Sequence, residues 1–325
     1  MKRFLSLVLT MALLISILPA ELFPVTASAA TSYFAGGDGT ADSPYLISTK
    51  THLYNVRGYR NAHFKLTRNI VFSNSDFSYG GSYYNNGAGW APIGTSSSYA
   101  FTGTFDGNGF SIINLRMWVP SSNTTSLAGL FGYNEGTIKN LCMDAGLLSS
   151  SNSSSYSYVS ASTYAGSIVG ENHGTIENCY TTATVSASSS ACGPASYAGG
   201  IAGYNKGTIT NCYNAGKVSA SARSTSSISE YAWAYAGGIV GSNSGTVSCC
   251  YNIGTVTASA SATKPQVSQC GIAGSNKDTV KSCYFLETNN YEGSGAIRCS
   301  AEQLAQQSTY TGFDFEIEYV DYFQH

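Results

Sequence analysis

The sequence is poor in charge. Asp, Glu, Lys and Arg make up 10% of its 325 residues, against about 25% in an ordinary soluble domain. The formal net charge is −2 and no run of lysine or arginine occurs. A nucleic-acid binder needs a cationic footprint for the phosphates, and an extended coiled coil needs charged flanks on its helices. The composition argues against both, and no nucleic-acid partner is expected. The four histidines, His52, His63, His173 and His325, form no His-Glu-x-x-His pair, so about three zinc ligands converging on one face have no evident source. A Gly-x-Ser-x-Gly elbow for a serine nucleophile is missing too. Neither a metal nor a cofactor is expected. Strong helix formers are few, whereas glycine (35), tyrosine (24) and Ser/Ala tracts are plentiful. With 43% hydrophobic residues the chain can bury a core, and its β-branched, aromatic and turn residues place it in the all-β class.

Long apolar runs are limited to one. Met1-Lys2-Arg3 precedes an apolar stretch over residues 4–18, then Pro19 and a small-residue Ala27-Ser28-Ala29 site. The run is short of the roughly 20 residues that span a bilayer, and the pattern is that of a secretory signal peptide cut after Ala29. The mature chain is expected to lack a transmembrane segment and to be secreted, extracellular or cell-surface associated. Nine cysteines in such a chain would suggest a disulfide framework, but nine is odd and all lie from Cys142 onward.

What is present is a repeat. Gly132-Tyr133-Asn134-Glu135-Gly136-Thr137-Ile138 recurs as Gly170-Glu171-Asn172-His173-Gly174-Thr175-Ile176 and Gly203-Tyr204-Asn205-Lys206-Gly207-Thr208-Ile209. It recurs again as Gly241-Ser242-Asn243-Ser244-Gly245-Thr246-Val247 and Gly274-Ser275-Asn276-Lys277-Asp278-Thr279-Val280, where Asp278 takes the second glycine's place. A spacing of 33 or 38 residues means a solenoid, a propeller or an array. Three short strands and three turns in about 23 residues make one coil of a parallel β-helix. The remaining Ser/Ala-rich residues read as an insertion at one corner, forming a ridge along one side.

Stacking the repeats aligns Ile138, Ile176, Ile209, Val247 and Val280, and separately Leu130, Ile168, Ile201, Ile239 and Ile272, as core columns. A third column holds Leu141, Cys179, Cys212, Cys250 and Cys283, where cysteine replaces leucine as a small buried apolar side chain. Coils about 4.8 Å apart suit disulfide Cβ spacing of about 3.8 Å poorly, so these four cysteines are expected to stack as thiols. Strict alternation would put Ile176 and Cys179 on opposite faces, so a bend must lie between them. The fourth column is Asn134, Asn172, Asn205, Asn243 and Asn276, a structural turn ladder whose amides bond from coil to coil. Left-handed backbone is expected at this turn, with positive φ at Gly136, Gly174, Gly207 and Gly245.

Residues 101–112 read as strand, tight turn, strand, an earlier coil. Residues 49–57 and 301–307 read as short helical caps over open coil ends, the second with a capping box of Ser300 and Gln303. The organisation is thus signal peptide 1–29, N-terminal cap and first coils 30–127, five-repeat array 128–290, and C-terminal cap and tail 291–325.

The Ala-Gly-(Gly)-Ile-Val-Gly-x-Asn-x-Gly-Thr-Ile-x-Asn-Cys-Tyr pattern of residues 165–180 and 198–213 resembles the GLUG repeat of secreted bacterial proteins. Gly37-Asp38-Gly39-Thr40, Trp90-Ala91-Pro92-Ile93-Gly94 and Phe105-Asp106-Gly107-Asn108-Gly109 are similar to segments that precede such arrays, and residues 283–289 and 300–315 to their usual exit. The tail beyond Phe315 departs from the pattern. The resemblance implies a right-handed parallel β-helix. It carries no agreed activity, since such repeats accompany immunoglobulin A peptidases and diverse surface proteins, and here no peptidase domain accompanies them.

For function, the recurrent residues are absorbed by turns and core, leaving no acid, base, nucleophile or metal constellation. Asp106, Asp144, Glu171 and Glu177 are scattered, and His173 reads as a solvated turn residue. Tyr79, Tyr83, Tyr84, Tyr156, Tyr158, Tyr231, Trp233 and Tyr235 fall in loops or insertions outside the core columns. Rigid aromatics beside small polar residues suit recognition of sugars or proteins, and equally could only cover the ridge. Tyr156, Tyr158, Tyr231, Trp233 and Tyr235 are the candidate binding residues. The expectation is a monomeric, non-catalytic, adhesin-like binding or scaffold module facing a host or envelope glycan or protein. The alternative is a carbohydrate-active β-helix enzyme, a polysaccharide lyase or a glycosidase, which for a glycosidase needs two carboxylates about 5 to 9.5 Å apart.

Overall fold

The computed structural model of the chain describes residues 33–122, 125–154, 162–225, 230–287 and 295–310. The expected signal peptide and the tail from residue 311 lie outside these. The chain divides into residues 1–33 and residues 34–325, and the architecture below is that of the second unit.

It is a parallel β-helix. One coil supplies five strands, each to its own sheet: Ser162–Ala165 to sheet 1, Val169–Asn172 to sheet 2, Thr175–Glu177 to sheet 3, Tyr180–Thr181 to sheet 4 and Thr184–Ala191 to sheet 5. Among the described residues, sheets 3 and 4 have eight strands each, and sheets 1, 2 and 5 have five. All pairings between these strands are parallel, and register follows the repeat: Ile138 pairs Ile176, Ile176 pairs Ile209, Ile209 pairs Val247 and Val247 pairs Val280. Both apolar columns point inward; Leu130, Ile138, Ile168, Ile176, Ile201, Ile209, Ile239, Val247 and Ile272 are fully buried.

The Ser/Ala tracts depart from the expected corner loop. They are strands, forming sheets 5 and 1, which pack against each other as a lobe of the five coils that carry them. The cause is a second alternation. In Thr184–Ala191, Val185, Ala187, Ser189 and Ala191 turn inward while Ser186, Ser188 and Ser190 turn out; in sheet 1 the strand Tyr231–Gly237 alternates likewise and buries Ala232, Ala234 and Ala236. Only small side chains fit between two backbones held this close. The buried hydroxyls find partners, as where Ser150 Oγ lies 2.8 Å from Ser126 Oγ.

The bend that lets both Ile176 and Cys179 face the core is present, and it is sharp. Asn140, Asn178, Asn211, Cys249 and Ser282 hold positive φ of 50–53°, each directly before the third column. Asparagine tolerates this left-handed backbone best. Positive φ therefore falls here and not, as expected, at Gly136, Gly174, Gly207 and Gly245. Those glycines are required by close approach instead: a Cβ on Gly174 or Gly207 would sit 2.0 Å from the carbonyl oxygen of Gly136 or Gly174 in the preceding coil. The first glycine of the repeat has a similar cause, since a Cβ on Gly203 would lie 2.6 Å from the Ala165 nitrogen, where the strand of sheet 1 passes.

Asn134 Nδ2 donates to Asn172 Oδ1 at 2.8 Å, Asn172 to Asn205 at 2.8 Å, Asn205 to Asn243 at 2.8 Å and Asn243 to Asn276 at 2.9 Å. Each also donates to the carbonyl of the glycine two residues on, at 2.9–3.2 Å, so the ladder closes the turn as it joins the coils.

At the N-terminal end, Thr49 caps a helix over Lys50–Asn55 that continues as a 3-10 turn over Val56–Gly58 and buries Leu53 and Val56. Residues 101–112 do form part of a coil, but their strands, Thr104–Asp106 and Ser111–Ile113, enter sheets 3 and 4 and do not pair as a tight hairpin. At the other end the Ser300–Gln303 capping box starts a helix limited to Ala301–Leu304.

Candidate functional site

The period-two rule that sends the ladder asparagine inward sends its two neighbours outward. In sheet 2 this makes one outward column of Tyr133, Glu171, Tyr204 and Ser242, in register, and beside it Glu135, His173, Lys206 and Ser244, which follow the asparagine. In sheet 1, Tyr164, Tyr197 and Tyr235 are in register, with ring centroids 4.9 and 5.4 Å apart and planes within 15°. The Tyr164 and Tyr204 rings, from different sheets, come to 5.5 Å. The outward rows of sheets 1 and 2 therefore meet at this corner.

Tyr231, Trp233 and Tyr235 alternate along the strand Tyr231–Gly237 and share its outer side. They are therefore strand residues, not loop residues. The Tyr231 and Trp233 rings stack at 5.6 Å, and Lys264 Nζ lies 5.5 Å from the Tyr231 ring. Tyr156 and Tyr158 lie outside the described residues. Tyr83, expected on a loop surface, is buried at 8% exposure and packs edge-on to Phe72 at 5.4 Å; Tyr79 is 90% exposed.

His173 is not merely solvated. Its Nε2 lies 2.8 Å from Glu171 Oε1 and 3.0 Å from Tyr133 Oη, and its ring stacks on Tyr133 at 4.7 Å. Side-chain exposure is only 24% for His173 and 18% for Glu171. The signal that could have found this cluster was the pair of variable positions in Gly-x-Asn-x-Gly, which flank an inward residue and so must share an outward face.

Burial raises the pKa of Tyr164, Tyr197 and Tyr235, and for Tyr164 and Tyr197 neighbouring charges add to it. Burial, then the Glu171 and Glu135 carboxylates, raises Tyr133. These phenols remain protonated donors at neutral pH. Because the Tyr164, Tyr197 and Tyr235 rings face one another, they offer hydroxyls and ring edges outward more than open ring faces. Elsewhere, Asp106 Oδ1 accepts from the Asn108 N–H at 2.7 Å and from Asn140 Nδ2 at 3.0 Å, the part of a turn residue. Among the described residues no three of His, Cys, Asp and Glu converge as metal ligands, and no helix is long and apolar enough to cross a membrane.

A family model described as the GLUG motif matches residues 161–186 and 194–219. The second and third repeats carry the GLUG motif. The GLUG coils have relatives in larger proteins. Over 155 residues, 47% of this chain, the sequence is 34% identical to halomucin of Haloquadratum walsbyi. Over 151 residues, 46% of this chain, it is 33% identical to a proposed Gly-rich membrane protein of Evansella cellulosilytica. The matched stretches span 2% and 15% of those relatives. The crystal structure of a Bacteroides ovatus protein proposed to be an immunoglobulin A1 protease is similar in fold, with a TM-score of 0.57 at 21% identity, covering 84% of this chain and 88% of that one. At that identity the likeness concerns the fold alone.

Proposed function

We propose that the chain is a secreted or surface-associated, non-catalytic binding and scaffold module, adhesin-like, whose GLUG coils hold an outward aromatic and hydroxyl face against a glycan of a host or of the cell envelope. The observation that carries this is the in-register tyrosine row of sheet 1, continued by Trp233 and Tyr231. The fold does not require it, because inward residues and the asparagine ladder already hold the coils together. Protonated phenols on a rigid sheet donate to sugar hydroxyls with little ordering cost. The names of the relatives, halomucin and a Gly-rich membrane protein, favour a place at the cell surface, and the expected signal peptide favours export.

A carbohydrate-active enzyme is the second reading, kept because Glu171, His173 and Tyr133 supply a carboxylate, an imidazole and a phenol in contact. The test is retention of the mature protein on a glycan array, paired with polysaccharide turnover assays. Saturable binding weakened by Trp233→Ala or Tyr235→Ala, without release of oligosaccharides, supports the module; release of oligosaccharides supports the enzyme.

A further inference from the structure

The outward pair of each GLUG turn differs along the stack. In the first three coils it is Tyr133 and Glu135, Glu171 and His173, then Tyr204 and Lys206; in the last two it is serine, with Lys277. Turn geometry asks nothing of these positions, as the serines show. Yet in the early coils Tyr133, Glu171, His173 and Tyr204 are half-buried, Tyr133 and Glu171 are both bonded to His173, and Tyr204 is in ring contact with Tyr164, while Glu135 and Lys206 are exposed. Such a set is held in place before any ligand arrives, which lowers the ordering cost of binding.

We infer that this corner, built on Glu171 with Tyr133, His173, Tyr164, Tyr204 and Lys206, is a subsite that selects a neutral sugar residue presenting two adjacent hydroxyls. The inference rests on the glycan-binding reading above and names its chemical class. A carboxylate has two acceptor oxygens and suits a pair of O–H donors, a charge-assisted contact stronger than a neutral one. His173 occupies Oε1 and fixes the orientation of the group. The Tyr164 phenol supplies a donor to the sugar's ring or linkage oxygens, as does Lys206, whose Nζ sits 5.4 Å from the Tyr204 ring, while the Tyr204 hydroxyl, which donates to Ser244 Oγ at 3.5 Å, offers its oxygen as an acceptor. Glu135 and Glu171 outnumber the Lys206 cation two to one, and the net negative charge disfavours a uronate or sialate carboxylate. The serine-rich outward pairs of the last two coils confine this chemistry to one end of the tyrosine row.

The test uses the mature chain on an array of neutral hexose oligosaccharides, uronate- and sialate-bearing oligosaccharides, and lysine-rich peptides, followed by titration of the best neutral ligand. Retention of neutral glycans over acidic ones is expected. Glu171→Gln should weaken binding about tenfold and His173→Gln severalfold, with melting temperatures within a few degrees of the parent, while Glu177→Gln on sheet 3 should leave it unchanged. If Trp233→Ala or Tyr235→Ala weakens binding but Glu171→Gln leaves it within twofold, the subsite is wrong and the glycan-binding face stands. Preference for acidic glycans, or for the peptides, overturns the subsite as well. If the parent retains no glycan at all, the glycan-binding reading fails first and the subsite with it.

Discussion

At Cys179, Cys212, Cys250 and Cys283 a thiol stands where Leu141 stands one coil earlier. All five residues are at most 1% exposed, and each sulfur lies 3.1–3.3 Å from the carbonyl oxygen two residues before it. Burial, then the neighbouring thiol, raises the pKa of Cys179 and Cys250, and burial pushes Cys142 up to about 11. A reagent must also reach the sulfur, and burial closes the whole column, so a thiol reagent at pH 8 should label the half-exposed Cys192 and Cys249 first and the column only after unfolding. Rapid labelling of Cys212 in the native protein would contradict the stack. The asparagine ladder should be equally unforgiving. Asn205→Leu removes an acceptor from Asn172 and a donor from Asn243, and leaving buried polar groups without partners costs about 1–3 kcal/mol each. We expect a loss of about 3 kcal/mol in urea denaturation, propagated to both neighbouring coils.

Among the elements, the lobe of sheets 5 and 1 depends on small side chains. Ala234→Leu should destabilise by about 1–3 kcal/mol through overpacking, whereas Ser221→Lys on the outer side should change stability by less than about 0.5 kcal/mol. The N-terminal cap carries a pH dependence. Asp76 is raised by partial burial but lowered on balance by hydrogen bonds from Lys50 Nζ at 2.6 Å and from the Ser73 N–H at 2.7 Å. A lowered folded pKa means this contribution is present above the ordinary Asp value near 4 and is lost as pH falls through the lowered one. Asp76→Asn should therefore flatten the acid side of the urea midpoint measured between about pH 5 and pH 2. The element level also marks where sequence reading was strong and where it was blind. The Ile, Leu/Ile and Cys columns were legible because repetition averages out local ambiguity. The need for a bend before Cys179 followed from period two alone. Its location at Asn178, and the close-approach role of Gly174, were not legible, because both depend on how far one coil lies from the next. Ser/Ala tracts hid their strand character, since serine and alanine give almost no apolar contrast from which alternation could be read.

Over the whole stack of coils, inward positions repeat and outward positions vary. Four of the five turns keep glycine, asparagine and glycine for packing, the fifth having Asp278 at the last of these, and all free two positions for chemistry that the pairing of strands in register turns into columns. In the sequence Tyr231, Trp233 and Tyr235 read as aromatics of a loop or insertion; their placement on one strand face, continuous with Tyr197 and Tyr164, comes only from the coil-to-coil register. The most direct measurement of the binding-module account is equilibrium titration of the mature protein with its best array glycan, followed by chromatography of that glycan after prolonged incubation. The account predicts saturation near one ligand per chain, weakening of about tenfold or more on Tyr235→Ala, and a glycan recovered at its original length. A glycan shortened in proportion to protein and time would contradict it.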